Sequence, residues 1–164
     1  MDSILPDDVL ALARRVVEEN AKIGRKVAVA ESCTGGLVSA AITEIPGSSA
    51  VLDRGFVTYS NEAKQQLLGV PEDILEAFGA VSAATVWSMA QGAIKHSDAD
   101  VAVAISGVAG PDGGTELKPV GTVVFAKAER GEEEVNAEER RFPDEGRGDI
   151  RYRALLVALE LLLP

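Results

Sequence analysis

Apolar positions along this chain switch between two rhythms, and the switches mark its elements. Between about Pro6 and Ile23 the residues Val9, Leu10, Leu12, Ala13, Val16 and Val17 recur every three or four positions, so a helix is predicted, with Pro6 near its first turn and Gly24 as its stop. Val27 to Ala30 then form an unbroken apolar run, read as a strand. From Thr34 to about Glu44 the helical spacing returns, with Leu37, Val38, Ala41, Ile42 and Ile45 on one face. Pro46-Gly-Ser-Ser49 reads as a loop. Val51 to Tyr59 contain a second strand, strongest from Phe56 to Tyr59. Ser60 suits the N-cap of a short helix over Asn61 to Leu68. Pro71 to Phe78 predict another, stopped by Gly79, and Ser82 caps a longer one running to about His96. Asp100 to Ser106 is continuously apolar, as in a strand covered on both faces. A glycine-rich loop, Gly107 to Pro119, leads to a strand over Val120 to Ala126. Glu133 to Phe142 alternates with a charged outer face, which suits an edge strand because charge discourages pairing there. Gly146 to Leu163 closes the series as a helix with Ile150, Leu155, Leu156, Leu159 and Leu162 inward. Strands alternating with helices predict a three-layer α/β/α fold with a mixed, mostly parallel sheet. No repeat or linker interrupts it, and 164 residues suit a single domain, 1–164.

Charge narrows the range of partners. Lysine and arginine number 16 against 26 aspartates and glutamates, a net charge of −10. Such a surface repels phosphate backbones and anionic membranes, so neither nucleic acid nor a membrane is expected as a partner. A small anionic ligand remains compatible, because a local pocket can be positive. One cysteine, Cys33, leaves no intrachain disulfide and no cysteine-rich zinc site. The carboxylates are not clustered with His or Cys, so no metal is expected. The first eight residues lack a basic signal-peptide region, and no run approaches the ~18 apolar residues of a membrane span. These features predict a cytoplasmic protein.

Four segments carry candidate chemistry. In Lys26-Val-Ala-Val-Ala-Glu-Ser-Cys-Thr-Gly-Gly36 a strand turns into a helix, which places Ser32 at the strand's carboxyl end beside free helix N–H groups. An oxyanion or phosphate is stabilised in such a position. Gly35 and Gly36 let a ligand approach the backbone. The plainer alternative is that Ser32 or Thr34 only caps the helix. Glu31 could orient a polar ligand or a lysine, or could simply be salt-bridged. Cys33 is a second possible nucleophile, or a small buried thiol. Tyr59-Ser-Asn-Glu-Ala-Lys64 puts Lys64 one turn into a helix that follows a strand. With one histidine in the chain, His96, at a polar helix end, a serine nucleophile needs lysine as its base. The alternative is a solvated surface lysine. Ser106-Gly-Val-Ala-Gly-Pro-Asp-Gly-Gly-Thr115 leaves the carboxyl end of a strand, where ligands of open α/β sheets sit. Ser106, Gly107, Gly110 and Gly113 would face a phosphate, and Asp112 a ribose hydroxyl or its own Asx-turn. Arg147 opens the last helix, where its fork could clamp a phosphate. Alternatively it pairs with Asp144 or Glu145.

Taken in order, Ala-Glu-Ser-Cys-Thr-Gly-Gly36, Pro-Gly-Ser-Ser49, Arg54-Gly-Phe-Val-Thr-Tyr-Ser-Asn-Glu-Ala-Lys64, Gly79-Ala-Val-Ser82, Ile105-Ser-Gly-Val-Ala-Gly-Pro-Asp-Gly-Gly114 and Lys118-Pro-Val-Gly-Thr122 resemble the CinA C-terminal family, the nicotinamide-nucleotide amidohydrolases. The set spans nearly the whole chain. The family pattern often has Thr where this chain has Ser106, and a hydroxyl is kept. The resemblance implies hydrolysis of the carboxamide of nicotinamide mononucleotide, with no cofactor, by a homo-oligomer. It singles out Ser32, Ser49, Tyr59, Lys64, Ser106 and Arg147. Ser32, beside its helix, is the favoured nucleophile, and Ser49 is the rival if its loop folds over the same pocket. The alternative function is a non-catalytic nucleotide-binding or regulatory domain of the competence/damage-inducible type.

Overall fold

Valine and alanine alternate in the two central strands, and the alternation sorts the protein into two packing layers. The computed structural model describes residues 1–164. In β1 (Val27–Glu31) and β3 (Val101–Gly107), Val27, Val29, Val101, Val103 and Ile105 share one face of the sheet. They bury it under α1 (Asp7–Lys22), α2 (Leu37–Thr43) and α6 (Arg147–Leu161). The intervening Ala28, Ala30, Ala102 and Ala104 face α5 (Ala83–Lys95), joined by Leu68 of α3 (Asn61–Leu68) and Leu75 of α4 (Glu72–Phe78). Side chains of period two on a strand produce this split directly. Alanine ends at Cβ, so α5 lies close to the sheet. On its other side, Gly92 of α5 meets the Leu68 carbonyl so closely that a Cβ there would overlap it.

The sheet is mixed and ordered β2-β1-β3-β4-β5, with β2 spanning Leu52–Val57, β4 Thr122–Glu129 and β5 Val135–Arg141. Its centre is parallel: β1 pairs with both β2 and β3, Ala30 lying opposite Phe56 on one side and Ala104 on the other. β4 and β5 then add antiparallel strands, with Ser106 opposite Val124. β5 is an edge strand and carries the charged face expected of it. Layers of helix, sheet and helix match the predicted class.

Two local departures from the predicted elements bear on the site. The helix after β1 begins at Leu37, not Thr34, because residues 32–36 form a turn in which Gly35 (φ +59°) and Gly36 (φ +103°) are left-handed and cannot continue a right-handed helix. β2 stops at Val57, so Thr58 and Tyr59 leave the sheet beside the end of β1, where the Thr58 N–H donates to the Glu31 carbonyl at 2.8 Å. No helix is long and apolar enough to cross a membrane.

Candidate active site

The carboxyl ends of β1 and β3 open into a cavity of about 270 Å³ lined by Ser32, Cys33, Tyr59, Lys64, Ala80, Val81, Ser106, Gly107, Ala109 and Arg147. Strand alternation sets its floor. Glu31 falls on the valine face and turns to α2. Ser32, the next residue, turns the other way and meets α3. Lys64 is one turn into that helix, behind the Ser60 N-cap, whose Oγ accepts the Ala63 N–H at 3.0 Å. Its chain is 1% exposed, and its Nζ lies 3.0 Å from Ser32 Oγ, 2.9 Å from the Thr58 carbonyl and 3.0 Å from the Tyr59 carbonyl. Burial pulls the Lys64 pKa below the usual lysine range. In the neutral amine the two N–H bonds go to the two carbonyls. The lone pair is then left for the Ser32 hydroxyl to donate to. The ordinary position for a surface lysine is therefore not the one Lys64 takes.

Cys33 also borders the cavity but is chemically quiet. Burial pushes its thiol up to about 12, although Arg151 and Lys64 both oppose the rise. Ser106 is buried at the cavity wall with Gly107 beside it. Arg147 spans the mouth: Nη1 donates to the Gly110 carbonyl at 2.7 Å and Nη2 to the exposed Tyr59 hydroxyl at 3.2 Å. Glu145 is instead paired with Arg153, at 3.4 Å, so Arg147 keeps its charge for the cavity.

Several candidates lie elsewhere. The Glu31 carboxylate is fully buried and turned away from the cavity, because it caps α2: Oε1 accepts from Thr34 Oγ1 (2.7 Å) and the Val38 N–H (2.9 Å), and Oε2 from Ser39 Oγ (2.8 Å) and the Ser39 N–H (3.1 Å). The Val38 and Ser39 N–H groups at the start of α2 are thus occupied from within, and Thr34 is a partner of Glu31. Gly35 and Gly36 shape the turn. Ser49 is exposed in a short 3-10 turn, Ser48–Ala50, ahead of β2. That places it at the amino end of β1, where Val27 lies opposite Leu52, with the length of the strand between it and Ser32. The loop that carries it does not fold over the cavity. Asp112 and Gly113 are exposed and do not line the cavity.

A family model for the CinA C-terminal domain matches residues 9–164. The chain belongs to the CinA C-terminal domain family. Among its CinA relatives, it is 50% identical over 155 residues to the nicotinamide-nucleotide amidohydrolase PncC of Escherichia coli strain K12, covering 94% of this chain and 93% of that one. It is 62% identical over 111 residues to a putative competence-damage inducible protein of Symbiobacterium thermophilum, covering 68% of this chain but only 26% of that protein. The chain thus spans about a quarter of that relative, and 35% of a CinA-like protein of Endomicrobium trichonymphae. The solved structure of the competence/damage inducible protein CihA from Agrobacterium tumefaciens superposes with a TM-score of 0.94 at 50% identity, covering 98% of this chain and 96% of that one.

Within this CinA domain, sequence reasoning missed three contributors. The Thr58 and Tyr59 carbonyls hold Lys64, and main-chain acceptors leave no mark in side-chain identity. Ala80 and Val81 supply apolar wall from the segment before α5. Arg151 reaches the Ser32 turn, and its one signal is its spacing of four from Arg147, which puts both on one face of α6.

Proposed function

We infer that residues 1–164 form one amidohydrolase domain that cleaves the carboxamide of nicotinamide mononucleotide to nicotinate mononucleotide and ammonia. The carrying observation is the buried contact between Lys64 Nζ and Ser32 Oγ at the floor of a cavity of about 270 Å³. A relative of similar length, half identical, bears the name of that activity.

Neutral Lys64 accepts the Ser32 hydroxyl proton as Oγ bonds to the carboxamide carbon. The carbonyl π electrons move to oxygen and give a tetrahedral oxyanion. On collapse the C–N bond breaks, and Lys64 returns the proton to the departing nitrogen as ammonia. Water attacks the resulting ester while Lys64 again takes a proton, and that proton is returned to Ser32 as the acid leaves. Ser106 and Gly107 hold the amide end. Arg147 and the loop residues 108–110 hold the ribose phosphate, with the Tyr59 hydroxyl exchanging its Arg147 bond for the substrate. Base assistance of this kind is worth roughly 10²–10⁴-fold.

The test is ammonia release from nicotinamide mononucleotide by the purified protein and by Ser32→Ala. Turnover in the first and none in the second, with equal melting temperatures, is the expected result. No turnover, together with a rise in melting temperature on adding the nucleotide, would leave a binding domain in place of an enzyme.

A further inference from the structure

The turn that carries Ser32 is held from behind by an arginine. Arg151 Nε donates to the Cys33 carbonyl at 3.0 Å, and its Nη2 to the Thr34 carbonyl at 3.3 Å. Both are main-chain acceptors, so the fork fixes peptide planes and not side chains. The peptides here are trans, since the one cis bond in the chain is Gly110–Pro111. In a trans peptide the C=O and the following N–H point in opposite directions. Holding the Cys33 carbonyl against Arg151 therefore turns the Thr34 N–H away from it. The Ser32 carbonyl accepts the Gly35 N–H at 3.0 Å, which likewise sends the Cys33 N–H to the opposite side. The Cys33 N–H donates to no other residue, and Cys33 borders the cavity, whereas Thr34 is fully buried and does not line it. Main-chain N–H groups are nearly always paired, so one left free beside the cavity directly after a serine is open to a partner supplied from outside. The α2 N–H groups of Val38 and Ser39 are already spent on Glu31, so they are not available for this purpose.

We propose that Arg151 is a positioning residue for the reaction: its fork keeps the Cys33 and Thr34 carbonyls turned back, which holds the Gly35 N–H on the Ser32 carbonyl and so presents the Cys33 N–H to the oxyanion. The inference rests on the amidohydrolase reading of the site. Its positive charge also lies near Cys33, where it favours a developing negative charge. Without the fork, the 32–35 turn is free to rotate and to point the Cys33 N–H away from the oxyanion, which then loses a donor. The substrate carboxamide is neutral, so the loss falls on the transition state and not on substrate binding.

Removing one donor of an oxyanion site lowers kcat by roughly 10²–10³-fold. Loss of its support is expected to lower kcat by roughly 10–100-fold in Arg151→Met, with KM within about threefold of wild type and the acid limb of the pH profile unmoved, because Lys64 keeps its partners. Arg151→Lys can reach one of the two carbonyls and is expected to recover part of the loss. Steady-state ammonia release by wild type, Ser32→Ala, Arg151→Met and Arg151→Lys, with a melting curve for each, decides the matter. Wild-type kcat in a folded Arg151→Met overturns the inference, and so does a loss carried entirely in KM. Failure of both Arg151 variants to fold makes the residue a structural tie and also overturns it. If Ser32→Ala is inert while Arg151→Met is normal, only the positioning role falls. If wild type itself releases no ammonia, both readings fall together.

Discussion

Lys64→Met is expected to lose ammonia release by at least roughly 10²–10⁴-fold, the range of general-base assistance. The double variant Ser32→Ala/Lys64→Met should be no worse than the poorer single one, because groups acting as a unit do not lose their contributions twice. Near-normal rates in Lys64→Met would end the dyad. In wild type, kcat/KM should fall as pH drops through the lowered Lys64 pKa, since the protonated amine accepts nothing. The same shift has a stability consequence. The folded pKa lies below the unfolded value, so at intermediate pH the unfolded chain binds more protons and stability rises with pH. The gain is complete once pH passes the ordinary lysine value of about 10.4. The wild-type melting temperature should therefore climb relative to Lys64→Met from neutral pH towards pH ~10. A constant gap across that range would mean Lys64 titrates as a surface lysine does.

Glu31→Gln is expected to destabilise the protein by about 3 kcal/mol, because it breaks a buried charged cap of four hydrogen bonds. An amide nitrogen replaces one acceptor and faces either the Val38 N–H and Thr34 hydroxyl or the Ser39 N–H and hydroxyl. Donor then meets donor on that side. For a chain of this size the loss corresponds to a fall in melting temperature of roughly 6–12 °C. Activity should fall as well, since the cap ties the Ser32 turn to α2. A shift under about 2 °C would show that the carboxylate is replaceable.

Much of the fold was legible. The Val-Ala alternation at 27–30 and 101–104 encodes a strand with a broad and a narrow face, and the helices follow from spacing. Less legible were the places where single residues act against their neighbourhood. Two left-handed glycines push the start of α2 from Thr34 to Leu37. Local propensity favours the earlier start, and only the turn's tertiary role explains the later one. Of the candidate residues, the structure gathers Ser32, Lys64, Tyr59, Ser106, Gly107 and Arg147 around one cavity. Glu31 and Thr34 face inward, because strand period sends position 31 to the opposite layer from position 32. Ser49 lies beyond the far end of β1, a separation that sequence order hides: its loop follows α2, and α2 has already carried the chain back to the strand's start.

The buried thiol next to the Ser32 hydroxyl bears on what the cavity can survive. With burial pushing the Cys33 thiol up to about 12, little of it is thiolate near neutral pH, and thiolate is the form that peroxide and alkylating reagents attack. Oxidative stress, which disarms hydrolases built on an activated cysteine, finds no comparable target here. On the reading proposed above, the oxygen of Ser32 does the work, while the sulfur one residue away fills space.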